Sequence, residues 1–274
     1  MGKMELATRC FLFLVLFFTF DGNCLAYDDF SGWWYVEDKG GTGVSVEVQE
    51  GNCFVAVFDF NNFDPFWISS FGKVENFGIE PGKPAGLYYE GDLYLWSGWP
   101  LGSSYLEPQV YRIGIMQIEF LSPSNAELRY VISKDFLTSD SDAGVDVQLV
   151  KFMPQLFNGN LDSRDVNGWW YDPAFNGMGF FTEAYGDTIF MAWYHYNEDN
   201  EPTWLSCYAP FRPEDSQFVC TMQQWYGGSY MGSTSYKAPV VKDLEEAVFK
   251  LTGESQAELT WRGTTYHLER FIFK

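Results

Sequence analysis

The chain has 274 residues, of which 20% are aromatic and 20% charged, and its formal net charge is −20. Disorder over most of the length is excluded, because disordered chains are poor in aromatic residues. The 37 acidic residues against 17 basic ones disfavour nucleic acid as a partner, since an acidic surface repels phosphate. The composition therefore indicates a folded, acidic protein that is long enough to bury one or two cores.

The first segment of the chain, residues 1–26, is predicted to be a secretory signal peptide. Lys3 and Arg9 precede an apolar run that is shorter than the roughly 20 residues needed to span a bilayer. We place cleavage after Ala26 and rank a lipid anchor at Cys24 below it, because the residues before Cys24 suit a lipoprotein site poorly. The expected location is secreted or periplasmic, with no transmembrane segment after cleavage.

An internal repeat organises the rest of the chain. Gly32-Trp33-Trp34-Tyr35 recurs as Gly168-Trp169-Trp170-Tyr171, and Gly41-x-Gly43-x-x-x-Glu47 recurs as Gly177-x-Gly179-x-x-x-Glu183, both at an offset of 136 residues. Further on, Pro65-x-Trp67 matches Pro202-x-Trp204, and Trp96-x-Gly98 matches Trp225-x-Gly227. Matches in one order over such a length indicate a tandem duplication. We predict domain 1 at 28–154, a linker at 155–164 and domain 2 at 165–274.

Each copy is predicted to be all-β with about eight short strands. In the second copy, apolar or alternating runs between turn-forming clusters predict strands over 168–171, 178–185, 188–196, 202–208, 216–225, 245–251, 256–261 and 265–273. One turn of helix is expected near 240–244. The preferred architecture is two tandem small antiparallel β-barrels, with a β-sandwich as the alternative.

Two hairpins carry a readable register. The turn at 186–187 pairs Glu183 with Phe190, and the turn at 50–51 pairs Glu47 with Phe54. In both copies the face that holds the glutamate also carries Gly, Ala and an aromatic residue, whereas the opposite face differs between the copies. We expect the shared face to be buried.

The second copy contains Gly168-Trp169-Trp170-Tyr171, Asp172-Pro173 and Asn176-Gly177-x-Gly179-x-x-x-Glu183. This pattern resembles the GWWY-(D/N)P-x-x-(S/N)G-x-G-x-x-x-E repeat module of secreted Gram-negative bacterial proteins, a family without an assigned reaction. The resemblance implies a secreted β-module. The first copy departs from the pattern at Val36-Glu37 and carries an insertion at 134–144. In architecture alone, the Trp-Tyr start is also similar to avidin-type barrels.

Glu47 and Glu183 are the candidate catalytic residues, because a carboxylate on an aromatic face has a raised pKa. The preferred interpretation is structural, with each glutamate accepting hydrogen bonds from Trp N–H or Tyr O–H groups and fixing its own barrel. A glycosidase needs two carboxylates, and this face supplies one in each copy. We therefore expect no enzymatic activity, and a hydrolase that uses Glu183 is an alternative.

Aromatic side chains are the candidate ligand-binding groups, because they stack on sugars or line apolar pockets. The candidate ligand-binding residues are Trp99, Trp170, Glu183, Trp193, Tyr194, Trp204 and Trp225. The recurring tryptophans are expected in the barrel cores, whereas Trp99, Trp193 and Trp261 are expected at the surface or at a ligand. The preferred function is a non-catalytic binding module for a glycan or small apolar ligand at the barrel mouth. The alternative is a structural or adhesion protein of the cell surface.

Cysteine spacing predicts one disulfide. Cys207 and Cys220 flank a loop between two predicted strands, and a secreted protein meets a compartment that permits disulfides. We expect these two residues to close a hairpin. Cys53 then remains as a small buried thiol.

One acidic loop is a candidate metal site. Asp140, Asp142 and Asp146 alternate along the chain, and carboxylate oxygens are ligands that Ca²⁺ prefers. The loop lacks the following glutamate of an EF-hand, so calcium is only a candidate ligand. No other cofactor is expected.

Overall fold

A computed structural model describes residues 30–61, 63–77, 86–136, 143–152, 166–212 and 214–273. The predicted signal peptide at 1–26 (with Cys24), the predicted linker at 155–164, and Asp140 and Asp142 lie outside the described residues. Within the described ranges, no helix is long and apolar enough to cross a membrane.

The first half of the chain forms a closed antiparallel barrel, here called barrel 1. Each strand pairs with the next one along the chain, and the first strand pairs with the eighth to close the sheet. The strands are β1 Gly32–Tyr35, β2 Gly43–Gln49, β3 Asn52–Asn61, β4 Asp64–Phe77, β5 Gly86–Ser97, β6 Gln109–Ser122, β7 Asn125–Ile132 and β8 Ala143–Lys151.

The second half forms barrel 2 with the same topology. Its strands are β9 Gly168–Tyr171, β10 Gly179–Tyr185, β11 Thr188–Tyr196, β12 Pro202–Pro210, β13 Gln217–Tyr226, β14 Val240–Gly253, β15 Gln256–Trp261 and β16 Thr264–Arg270.

The prediction of two tandem barrels is confirmed, and the sandwich alternative is wrong because β16 pairs with β9 and closes the sheet. The helical turn expected near 240–244 is also wrong. Val240 and Val241 favour a strand and pair with Tyr226 and Trp225 of β13.

The predicted hairpin registers are confirmed. Glu183 pairs with Phe190 across β10 and β11, and Glu47 pairs with Phe54 across β2 and β3. Because successive side chains point to opposite faces, this register separates each hairpin into the shared face and the differing face. Both faces of these hairpins are largely buried.

The differing face fills the barrel interiors. Val46, Val55 and Val57 lie in the core of barrel 1, whereas Met191 and Trp193 lie in the core of barrel 2. An eight-stranded barrel is just wide enough to be filled by side chains, and two copies can fill it with different ones. The surface positions expected for Trp193 and Trp261 are therefore wrong, because these side chains are 0% and 5% exposed within barrel 2.

The shared face packs between the two barrels. Recurring aromatic residues from both halves form one buried cluster there, which includes Trp33, Phe58, Trp67, Trp169, Tyr194 and Trp204. Six of the recurring tryptophans thus lie at the contact between barrels and not inside either barrel; four of these are buried, whereas Trp96 and Trp225 are half-buried. Trp34 and Trp170, the second tryptophan of each Gly-Trp-Trp-Tyr strand, do lie in their own barrel cores.

Each barrel also extends a loop onto the other. The loop between β13 and β14 places Met231 in the core of barrel 1, and the loop between β5 and β6 packs Leu101 against the core of barrel 2. Trp99 belongs to the latter loop, where its ring contacts the Tyr196 ring with centroids 6.0 Å apart. Its expected surface position is wrong, because this exchange buries it to 1% exposure.

The structure contains the predicted disulfide. Cys207 on β12 and Cys220 on β13 are joined, with Cα atoms 5.8 Å apart, and both side chains lie in the core of barrel 2. Cys53 is a free, fully buried thiol in the core of barrel 1. Burial raises the pKa of this thiol, which keeps it in the unreactive protonated form.

Candidate functional site

The two recurring glutamates connect the barrels by reciprocal hydrogen bonds. The main-chain N–H of Trp33 donates to Glu183 Oε2 over 2.7 Å, and the N–H of Trp169 donates to Glu47 Oε2 over 2.8 Å. The equivalent groups of the two copies thus exchange partners, as in an interface between subunits related by a two-fold axis. The duplicated chain behaves as a pseudo-symmetric dimer within one polypeptide.

These partners differ from those predicted. Each glutamate was expected to accept from indole or phenol groups and to fix its own barrel, but it accepts from the main chain of the opposite barrel. The indole Nε1 atoms of Trp33 and Trp169 are buried without a hydrogen-bond partner among the described residues. Gly32 makes the approach of the carboxylate possible, because a Cβ at this position would lie 2.6 Å from Glu183 Oε1.

Burial dominates the electrostatics of both carboxylates. It raises the pKa of Glu183 to about 7, against the opposing influence of the Lys151 charge and the Trp33 N–H. Burial also raises the pKa of Glu47, although Arg270 donates to Glu47 Oε1 over 2.8 Å and favours the charged form. The Glu47 and Glu183 carboxylates make their contacts at the interface between the barrels. Neither residue lines the cavities described next.

Two of the cavities that the described residues line lie where the barrels meet. The larger one, called the large cleft, has a volume of about 510 Å³. Its aromatic wall comes from both barrels and consists of Trp33, Trp34, Tyr35, Phe58, Phe152, Phe190, Trp204, Tyr208 and Trp225. The lining residues include Thr42, Ser206 and Gln223 as polar side chains and contain no charged side chain.

A stacked tryptophan pair forms one wall of the large cleft. The rings of Trp204 and Trp225 lie with centroids 5.8 Å apart at an interplanar angle of 29°. Trp225 Nε1 donates to Ser206 Oγ over 2.8 Å, which fixes the orientation of the indole. Trp204 is fully buried, whereas Trp225 is half-buried and presents part of its ring.

The second cavity, called the small cleft, repeats this arrangement with the roles of the barrels exchanged. Its volume is about 140 Å³, and its lining includes Trp169, Tyr171 and Tyr194 of barrel 2 with Phe54, Trp67 and Trp96 of barrel 1. Trp67 and Trp96 stack with centroids 6.1 Å apart at 27°, and Trp96 Nε1 donates to Ser69 Oγ over 2.7 Å. The two clefts are therefore similar in construction and unequal in size.

The predicted ligand-binding residues divide among these places. Trp204 and Trp225 line the large cleft, and Trp170 and Tyr194 line the small cleft. Trp99, Glu183 and Trp193 line neither cleft. The clefts lie between the barrels and not in the barrel mouths, because side chains fill each barrel interior.

Sequence reasoning missed the other aromatic residues of the large cleft, which are Tyr35, Phe58, Phe152, Phe190 and Tyr208. The available signal was the recurrence itself. A face that recurs while its opposite face diverges is under a common constraint, and an interface between the two copies imposes such a constraint on both.

The candidate calcium loop is described only in part. Asp146 is exposed and accepts a hydrogen bond from Arg129 Nε over 3.1 Å. In the part of the chain that the structure describes, no group of three or more His, Cys, Asp or Glu side chains is arranged to hold a metal ion.

Comparisons with protein-family models, with curated proteins and with solved structures found no match for this chain. The fold and the clefts therefore define its class. It is a pseudo-symmetric pair of up-and-down β-barrels that share an aromatic interface and enclose two apolar clefts.

Proposed function

We propose that the protein is a non-catalytic binding protein whose large cleft takes one small, uncharged, predominantly apolar molecule. The observation that carries this proposal is the cleft of about 510 Å³, whose wall is aromatic and whose lining has no charged side chain. Sites for small molecules occupy about 300–1,000 Å³ and combine apolar walls with few polar groups. The large cleft meets both criteria.

The chemistry of the lining supports an apolar ligand over a glycan. A sugar presents several hydroxyl groups, and each one needs a partner when it is buried. Besides the hydroxyls of Tyr35 and Tyr208, the cleft supplies Thr42, Ser206 and Gln223, and Trp225 already donates to the Ser206 hydroxyl. A planar apolar ligand needs fewer partners and stacks on aromatic faces such as that of Trp225.

We also propose that the protein acts outside the cytoplasm. The apolar segment within 1–26 has the form of a signal peptide, and disulfides such as Cys207–Cys220 persist in oxidising compartments. Such a location is compatible with the surface of a protein that carries a net charge of −20.

The experiment is a fluorescence titration with N-phenyl-1-naphthylamine, an uncharged aromatic probe, read together with intrinsic tryptophan fluorescence. We expect saturable binding with one equivalent, and Trp225→Ala should weaken it at least tenfold because the exposed stacking surface is lost. The matched control is Tyr226→Ala, which removes the next aromatic residue on β13. Tyr226 is 36% exposed and lies outside the cleft lining.

A glycan panel in the same assay decides between ligand classes. Saturable binding of an oligosaccharide in place of the naphthylamine would overturn the apolar assignment. Binding to cells without any small ligand would favour the adhesion alternative. Turnover that Glu183→Gln abolishes would favour the hydrolase alternative, although Glu183 is 1% exposed and outside both clefts.

A further inference from the structure

We propose that the small cleft is a second, separate binding site for an apolar molecule the size of one aromatic ring, and that Met178 sets this size limit. Nothing in the proposed function assigns a ligand to this cleft. Its volume of about 140 Å³ is close to that of apolar cavities, about 150 Å³, that bind benzene.

The two clefts are built on similar pairs of stacked tryptophans. Their tryptophan pairs have centroids 5.8 and 6.1 Å apart, with interplanar angles of 29° and 27°. Gly41 beside the large cleft and Gly177 beside the small cleft have φ values of +84° and +94°, and a Cβ at either position would lie 2.4 Å from a proline side chain of the opposite barrel. Because these features recur, we attribute the difference in volume to the lining side chains that differ.

Two lining positions differ in size, since Asn176 replaces Gly40 and Met178 replaces Thr42, but Asn176 is exposed and Met178 is the buried one. It occupies the position that Thr42 occupies beside the large cleft, and it is buried in the aromatic cluster between the barrels. Tyr194 replaces Phe58 in the same way, but its hydroxyl points to Ser45 of the opposite barrel with an O–O distance of 2.9 Å. Met178 fills its space in the cluster by apolar packing, and its unbranched, flexible side chain is the kind that adapts to an irregular gap.

The polar groups at the small cleft are already partnered in the main. Trp67 Nε1 donates to the carbonyl of His195 over 2.9 Å, Trp96 Nε1 donates to Ser69, and the Tyr194 hydroxyl bonds Ser45. Among the described lining residues, Trp169 Nε1 has no hydrogen-bond partner but is buried, and the Asn176 side chain is exposed. Hydroxyl and charged groups of a ligand therefore find few partners inside the cleft. The chemistry therefore selects an apolar ring, which contacts the surrounding aromatic faces.

The first test uses the wild-type chain and benzene, with the indole N–H resonances of the tryptophans followed by NMR. Benzene is expected to shift the resonances of Trp67 and Trp169 in a saturable manner. If saturating benzene leaves both resonances unchanged, the second site is wrong. This arm does not depend on ligand binding in the large cleft.

The second test exchanges Met178 and Thr42, which stand at equivalent positions of the two clefts. Met178→Thr is expected to enlarge the small cleft, so that N-phenyl-1-naphthylamine binds with two equivalents in place of one. Thr42→Met is the reciprocal change and is expected to weaken binding of the same probe in the large cleft at least tenfold. Thermal unfolding reports whether each variant is folded, and either variant alone decides the role of this position.

The outcomes separate the two proposals. If the wild-type chain binds no naphthylamine but benzene shifts Trp67 and Trp169, the proposed function fails and the second site stands. If Met178→Thr is folded and still binds one equivalent, or Thr42→Met binds as tightly as wild type, Met178 does not set the size limit.

Discussion

Asp59 gives the sharpest prediction, because its charge is buried where the two barrels interlock. The side chain is 0% exposed in barrel 1, and Asp59 Oδ1 accepts main-chain N–H groups of Phe60 and Met231, both over 2.8 Å. Burial raises its pKa from 3.8 to about 7, against the hydrogen bonds and the charge of Lys39. Asp59→Asn keeps an acceptor oxygen at this position and removes the charge.

The sign follows from proton linkage. The Asp59 carboxyl binds its proton more tightly in the folded state than in the unfolded chain. The contribution of this proton to the free energy of unfolding is therefore complete below pH 3.8 and is lost as the pH rises to about 7. One pH unit corresponds to about 1.4 kcal/mol for one group. Between pH 5 and pH 8 the group therefore costs about 3 kcal/mol, or about 6–12 °C in melting temperature for a chain of this size.

The assay is urea unfolding at pH 5, 6, 7 and 8. Glu183, whose pKa is also raised to about 7, adds a loss of the same sign in both proteins. The quantity to compare is therefore the drop in unfolding free energy from pH 5 to pH 8, which should be about 3 kcal/mol smaller in Asp59→Asn than in wild type. Asp64→Asn, an exposed carboxylate in the adjoining turn, serves as the control. Equal drops in wild type and Asp59→Asn would refute the reasoning.

Three further predictions concern packing and cross-links, and chemical unfolding measures each. Met231→Ala should cost about 2–5 kcal/mol by leaving a cavity in barrel 1, and a cost below 1 kcal/mol would contradict the exchanged loop. Replacing both Cys207 and Cys220 by alanine should cost about 3 kcal/mol, because the bridge closes a separation of 13 residues, and reduction of wild type should reproduce this loss. Glu47→Ala should cost about 3–5 kcal/mol, because it removes the carboxylate that pairs with the Arg270 guanidinium at 16% exposure, and an additional Arg270→Met substitution should recover part of the loss.

The sequence alone determined the repeat, the strands and the hairpin register. These features are local, because turn residues fix the pairing of adjacent strands and the period of two fixes which residues share a face. The pairing of Glu183 with Phe190 followed from a two-residue turn, and the disulfide followed from two adjacent strands.

The wrong prediction for Trp193 has a physical cause in the hairpin pattern. Both faces of the central hairpins are apolar, and burial in a barrel interior and burial between barrels select the same residue types. The pattern therefore did not reveal that Trp193 points inside barrel 2 while Trp204 packs against barrel 1. Likewise, the turn signals did not reveal that Val240 and Val241 extend β14 by pairing with β13.

The clefts were decided by tertiary structure alone. The large cleft brings Trp33 of the first strand beside Trp204 of the twelfth, and no local pattern encodes a contact over such a separation. The sequence determined that Glu47 and Glu183 recur at equivalent positions among recurring aromatic residues. Only the packing of the two barrels decided that each glutamate binds the opposite barrel, because a recurring face can pair with its own copy across a pseudo-two-fold axis.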